Sequence, residues 1–200
     1  KAMAEQAGDA GWCIHLGATS NDIVDSAVAI QIRDSVTIQH EVLCQLLTTM
    51  ANLAERERDT VMLGRTHGQA AVPITFGLKV AVWVDEFRRH LLRLAQMSPR
   101  VCVGKFLGAV GTGAAQGENA RELQALILTH LGLGVPLVTT QVVGRDRYIE
   151  WVSWMANVAT SVEKVLTEVR NLQRTEIAEV AEAFDVEKQV GSSTMAHKRN

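Results

Sequence analysis

Residues 145–190 read RDRYIEWVSWMANVATSVEKVLTEVRNLQRTEIAEVAEAFDVEKQV, 46 residues without a glycine or a proline. Helix formers dominate the run. As one straight helix it would measure roughly 60–70 Å at ~1.5 Å per residue, longer than a compact domain of 200 residues is wide. Its far end would then have to pack on another subunit or on a further domain. Trp151, Trp154, Met155, Val158, Val162, Val165, Leu166, Val169 and Leu172 spread over much of its surface. A helix apolar on more than one side belongs in a bundle. The stretch predicts an all-α bundle of long helices, oligomeric, with copies of one chain as partners.

The rest of the sequence reads the same way. The three prolines, Pro73, Pro99 and Pro136, are placed between periodic segments, where helix breakers belong. A long helix starts after Ala18-Thr19-Ser20-Asn21-Asp22, capped by Thr19 or Ser20, with Asp22 favouring the positive end of the dipole. Ile23, Val24, Ala27, Val28 and Ile30, and later Leu43, Leu46, Leu47, Met50 and Leu53, recur at steps of three and four. A bend near Asp34-Ser35 would make this two helices. A second helix is expected over about 75–96, with Leu78, Val82, Phe87, Leu91 and Leu94 inward and Arg88-Arg89-His90 outward. A glycine-rich loop, 104–117, and a helix over about 120–130 follow.

Composition limits the partners. The chain is 47% hydrophobic with a formal net charge of −2, so no basic field invites nucleic acid or a membrane surface. No apolar run reaches the ~18–20 residues that span a bilayer. Lys1–Asp9 is polar and lacks the apolar centre of a signal peptide. Cys13, Cys44 and Cys102 are odd in number and widely spaced, which argues for reduced thiols and a cytoplasmic location. Both ends read as cut from a longer chain.

Three polar loops interrupt the apolar helices. His15-Leu16-Gly17-Ala18-Thr19-Ser20-Asn21-Asp22 sets hydroxyls and free backbone N–H groups at a helix start, which suits a carboxylate or phosphate, or simply caps a helix. In Gly64-Arg65-Thr66-His67-Gly68-Gln69 a histidine sits in a short loop between helices, able to exchange a proton near neutral pH, or inert. Gly191-Ser192-Ser193-Thr194-Met195-Ala196-His197-Lys198-Arg199-Asn200 combines a Gly/Ser hinge with hydroxyls and cations. It fits a loop closing over an anionic substrate, or a basic linker. His40, His90 and His130 read as surface or rim residues, and the tryptophans as core or interface packing. The glycines of the 104–117 loop lie outside any strand–turn–helix unit, so they make no dinucleotide fingerprint. Neither a P-loop nor metal-ligand spacing is present, and no cofactor and no metal are expected.

Taken together, the last loop resembles the fumarase/aspartase superfamily signature G-S-S-x-M-P-x-K-x-N. Thr66-His67-Gly68-Gln69 and Thr19-Ser20-Asn21-Asp22 resemble two further blocks of that superfamily, in the same order. Within it, the H-K-R-N ending, Arg65-Thr66-His67-Gly68-Gln69 followed by Pro73-Ile74-Thr75-Phe76-Gly77-Leu78-Lys79, and Thr140-Gln141 leading into Arg145-Asp146-Arg147 look most like the adenylosuccinate lyases. The 3-carboxy-cis,cis-muconate cycloisomerases are the nearest alternative, with other superfamily lyases acting on a small polycarboxylate beside them. A silent structural bundle is a third reading, which retention of Ser192, His67, Lys198 and Asn200 opposes.

The resemblance implies a β-elimination that releases fumarate from succinyl-adenosine monophosphate and the corresponding imidazole-carboxamide ribotide. Ser192 matches the base that removes the proton beside a carboxylate. His67 matches the acid that protonates the departing amine. Lys198 and Asn200 match the groups that hold the charge of the carbanion. His15 matches a histidine near the nucleotide phosphate, and Thr19, Ser20, Thr66 and Gln141 match substrate contacts. It further implies a homotetramer with each active site shared among three subunits. Residues 1–20 would close an N-terminal domain and 21–200 belong to the central bundle. Ala196 departs from the signature proline, which would stiffen the loop. Leu107 stands for a common serine, and Tyr148 for a frequent histidine.

Overall fold

The computed structural model describes residues 1–183, 185 and 192–195. The described residues hold five α-helices: α1 (Ala2–Gln6), α2 (Ser20–Arg56), α3 (Phe76–Val101), α4 (Ala120–His130) and α5 (Asp146–Leu172). A two-stranded antiparallel sheet, β1 (Val61–Thr66) and β2 (Gln69–Thr75), lies between α2 and α3 in the sequence. The chain divides into two compact units, residues 1–47 with 88–155 and residues 48–87 with 156–200.

The fold is mostly helical, as the periodicity requires, and α4 has the expected bounds. Of the two readings for this stretch, one helix or two divided near Asp34-Ser35, the structure shows one: α2 runs unbroken for 37 residues. The Ser35 hydroxyl donates to the Gln31 carbonyl at 2.7 Å, turning a helix-weakening side chain back onto its own helix.

In α3 the buried positions are Val80, Trp83, Phe87, His90, Leu94, Met97 and Val101, alternating steps of three and four. This register corrects two expectations. His90 points inward and is 1% exposed, whereas Leu78 and Val82 point outward, 55% and 57% exposed. A stripe that includes both Phe87 and Leu94 passes through 90 and misses 78 and 82. Pro99 sits inside the last turn of α3 rather than between helices. The carbonyl it leaves without a helical donor belongs to Ala95, an exposed residue that water can serve.

The 145–190 stretch also needs correction, since α5 ends at Leu172 after 27 residues, about 40 Å at ~1.5 Å per residue. Beyond it the N–H groups of Gln173, Arg174 and Ile177 bond to carbonyls three or four residues back, and Ala178 takes a left-handed φ of 48°. The Glu179 N–H then returns to the Leu172 carbonyl at 3.0 Å. Helix propensity alone does not set the end of α5.

In the first unit the opening of α2 anchors two loops. Asp22 and Lys105 are both 0% exposed in their side chains and form an ion pair. The Asp22 carboxylate also accepts the N–H groups of Thr19 (2.8 Å), Leu107 (3.2 Å) and Gly108 (3.1 Å). Lys105 donates in addition to the Gly108 carbonyl at 3.2 Å. One turn on, Asp25 accepts the Val143 N–H at 2.9 Å and the Arg145 guanidinium at 3.0 Å. Ser26 exchanges hydrogen bonds with the Lys105 backbone. Gly104 passes so close to Leu128, Ser26 and Leu133 that a Cβ would lie 2.6–2.9 Å from them. Ala29, Leu128 and Leu133 form the adjoining apolar cluster with Ile30 and Leu131.

The second unit joins the end of α2 to the start of α3. The Phe76 and Gly77 N–H groups donate to the carbonyls of Thr60 (2.8 Å) and Glu57 (2.9 Å). A Cβ at Gly77 would lie 2.6 Å from the Arg58 Cα.

Breaking a buried pair leaves a charge that water cannot reach. Lys105→Met is expected to cost about 3 kcal/mol of unfolding free energy or more. Denaturant titration of wild type and variant checks this, and a loss below about 1 kcal/mol would show that the three N–H donors hold Asp22 unaided.

Candidate active site

The sequence reading placed His67 in a loop between helices, and the structure places it instead at the tip of the β1–β2 hairpin. Thr66 pairs with Gln69, leaving His67 and Gly68 as a two-residue turn with φ of 53° and 73°. Positive φ at both central residues makes a type I′-like turn, whose twist matches that of paired strands. The signal was legible in His67-Gly68 between short runs rich in β-branched and apolar residues. Pairing shifts by one residue between Leu63 and Arg65, a β-bulge opposite Gly64, where a side chain would run into the Val72 carbonyl. Thr66 and His67 are exposed at the tip.

His15 is the other candidate histidine, and it too has a left-handed backbone, with φ of 68°. Only three non-glycine residues among those described have positive φ: His15, His67 and Ala178. A β-carbon in this region costs energy that surrounding structure must hold. His15 is exposed, on the approach to α2.

Thr19 and Ser20 stand at the N-terminus of α2, Thr19 half-buried and Ser20 exposed. The 139–145 loop brings Gln141 to this point, its side-chain amide 3.5 Å from the Thr19 hydroxyl. Lys105 neutralises Asp22 just beneath, so the positive end of the helix is not cancelled by a bare carboxylate. Hydroxyls, an amide and a helix N-terminus are suited to an anion. The structure therefore gathers Thr19, Ser20 and Gln141 in the first unit. Thr66, His67 and Ser192 belong to the second.

Ser192 is half-buried, and its hydroxyl accepts the Met195 N–H at 3.3 Å. Lys198, Asn200 and Ala196 lie outside the described residues. Tyr148, in the position of a frequent histidine, is half-buried with the Arg145 guanidinium 5.1 Å from its ring centre. Burial raises its phenol, an effect that Asp25 adds to and Arg145 opposes. Leu107 is buried and contributes its backbone N–H to Asp22.

Sequence reasoning missed the groups that hold the candidates in place: Lys105, Asp25, and the pair Arg65 and Glu179. Arg65 lies two residues before His67 and donates two bonds, each 2.8 Å, to the two carboxylate oxygens of Glu179. These side chains are 26% and 20% exposed. The guanidinium bonds hold the Glu179 carboxyl below the usual carboxylate range, against a smaller opposing effect of burial, with help from the Leu63 N–H and the Lys79 charge. Among the described residues no group of three or more His, Cys, Asp or Glu side chains is disposed to hold a metal ion, and no helix is long and apolar enough to cross a membrane.

A family model described as lyase matches residues 2–200. The chain is similar to an adenylosuccinate lyase of Methanothermobacter thermautotrophicus, 52% identical over 201 residues, covering 100% of this chain and 45% of that protein. It is similar to an adenylosuccinate lyase of Pyrococcus abyssi, 51% identical over 200 residues, covering 100% of this chain and 44% of that protein. The chain thus spans a little under half the length of these curated relatives. Among solved structures, the 3-carboxy-cis,cis-muconate lactonizing enzyme of Pseudomonas putida superposes with a TM-score of 0.86 at 34% identity, covering 100% of this chain and 44% of that one.

A carboxyl whose folded value is depressed contributes stability that is complete above its unfolded value and fades as pH falls through the folded value. Replacing Glu179 by Gln is expected to lower stability at neutral pH and to converge with wild type in acid. Thermal unfolding followed from neutral to acid pH checks this; a constant offset at every pH would contradict it.

Proposed function

Because the chain belongs to the lyase family whose model matches residues 2–200, we propose that it forms the central part of an adenylosuccinate lyase, acting in purine nucleotide synthesis. The observation that carries this reading is the identity of about half to curated adenylosuccinate lyases along the whole chain. The helix N-terminus with Thr19, Ser20 and Gln141 supports an anionic substrate. The exposed turn at His67 supports a group that exchanges protons with a substrate. The substrates are succinyl-adenosine monophosphate and the corresponding succinyl-carboxamide imidazole ribotide.

Ser192 takes the proton from the carbon that bears the distal carboxylate of the succinyl group. The electron pair left behind spreads into that carboxylate as an aci-form, which Lys198 and Asn200 stabilise. The pair then forms the double bond of fumarate as the C–N bond breaks. His67 gives the departing amine its proton, so the amine leaves neutral. Serine is a weak base at its ordinary pKa, and its activation comes from cations and water exclusion around the loaded site. His15 meets the phosphate, while Thr19, Ser20, Thr66 and Gln141 orient the carboxylates and the nucleotide. Residues 1–20 end an N-terminal domain, and 21–200 contribute to the bundle.

The active assembly is a homotetramer in the cytoplasm, with sites completed by neighbouring subunits. The 37-residue α2 supports this assembly, as do Ile23, Val24, Ile38 and Val42 on it, all more than half exposed within one chain. The second reading is a cycloisomerase of small polycarboxylates, favoured by the superposition on the muconate enzyme.

The test uses the full-length enzyme and ultraviolet absorbance with succinyl-adenosine monophosphate. Wild type is expected to release adenosine monophosphate and fumarate. Ser192→Ala and His67→Ala are each expected to lose a factor on the order of 100 to 10,000 in kcat. No turnover by folded wild type overturns the nucleotide reading, and 3-carboxy-muconate is then the substrate to try.

A further inference from the structure

Arg65 and Glu179 are joined by both guanidinium N–H groups and both carboxylate oxygens, the fork geometry that fixes orientation as well as distance. The two partners are 114 residues apart in sequence, and Arg65 is placed next to a catalytic candidate. Arg65 lies two positions before His67 on β1, beside the bulge at Gly64. Glu179 follows Ala178, one of the three non-glycine residues with positive φ, and precedes Ser192 by 13 positions in the sequence.

A second pair braces the first. Lys79 on α3 is ion-paired with Glu168 on α5. Glu168 helps to hold the Arg65 guanidinium charged, and Lys79 helps to hold Glu179 charged. Arg65, Lys79 and Glu168 line one open cavity of about 560 Å³ with Trp83 and Asn171. Four elements (β1, α3, α5 and the segment after α5) thus meet in alternating charges.

An ion pair exposed to this degree adds little stability by itself. A two-pronged bond next to a left-handed alanine is better explained by the placement it enforces. We propose that the Arg65–Glu179 fork, braced by Lys79 and Glu168, is a positioning device that sets the His67 turn in the arrangement the elimination needs. Arg65 and Glu179 touch no reacting atom in this account. The inference rests on the catalytic role proposed for His67.

The experiment measures kcat and KM of the full-length enzyme on succinyl-adenosine monophosphate for wild type, Glu179→Gln, Arg65→Lys and the double variant, with Asp34→Asn as an exposed-pair control. Misplacing reacting groups by about 1 Å costs on the order of 100-fold in rate. Each single variant is expected to lose roughly 10- to 100-fold in kcat with KM changed less than about 2-fold. The double variant is expected to be no worse than the poorer single one, because both break the same bond. Arg65→Lys keeps the charge and loses the fork, so it separates placement from charge if Glu179→Gln folds poorly. Amide hydrogen exchange at residues 65–69 is expected to quicken in Glu179→Gln.

Single variants with kcat within about 2-fold of wild type, a change confined to KM, or losses that multiply in the double variant would each overturn the proposal. Should wild type fail to turn over the nucleotide, the proposed function falls. The fork is then judged by exchange at residues 65–69 alone, and unchanged protection would overturn it.

Discussion

A lysine ammonium and an aspartate carboxylate, both out of contact with water, sit beneath the N-terminus of α2, and the first unit is arranged around them. Such a pair is tolerable only when the remaining donors and acceptors are answered. Asp22 meets that demand by accepting three backbone N–H groups, from Thr19, Leu107 and Gly108, besides Lys105. Those N–H groups belong to the approach to α2 and to the glycine-rich loop. Satisfying one buried charge therefore folds two otherwise irregular segments onto a helix end. Asp25 repeats the device one turn later, taking the Val143 N–H and the Arg145 guanidinium, and so draws in the loop that carries Gln141.

The consequence for chemistry is electrostatic. A helix start bearing Asp22 and Asp25 uncompensated would repel an anion. Lys105 cancels the first carboxylate and Arg145 the second, leaving the N–H groups and hydroxyls at Thr19 and Ser20 as the local field. The glycines serve the same compaction: Gly104 admits Leu128 and Leu133 at distances that no side chain there would permit.

In the second unit charge is spent on orientation. Ser161 donates to Glu86 at 2.6 Å, Lys164 pairs with Glu86, Lys79 with Glu168, and Arg65 with Glu179. The three ion pairs are partly open to water, where such pairs contribute little to stability. The first three join α3 to α5, and the last joins β1 to the segment after α5. Outward-facing Leu78 and Val82 on α3, with Ile23, Val24, Ile38 and Val42 on α2, leave apolar surface that fits the oligomer proposed above.

The sequence by itself determined the helical class, the bounds of α4, the loop at 104–117 and the residues that resemble a lyase. These depend on local periodicity, on turn formers and on short motifs, all contained within a few consecutive residues. Only the tertiary structure decided that His90 is buried while Leu78 is not, because choosing one stripe of α3 requires knowing what packs against it. It also decided that α5 stops at Leu172: no glycine or proline in Gln173-Arg174-Thr175-Glu176-Ile177 marks the stop, and the chain turns there through backbone bonds that bring Glu179 back to Leu172 and to Arg65. The hairpin lay between, written in His67-Gly68 yet hidden by the helices around it. Lys105 and Asp25 were out of reach of sequence reasoning, since a charge is recognised as buried only once partners some 80 to 120 positions away are in place.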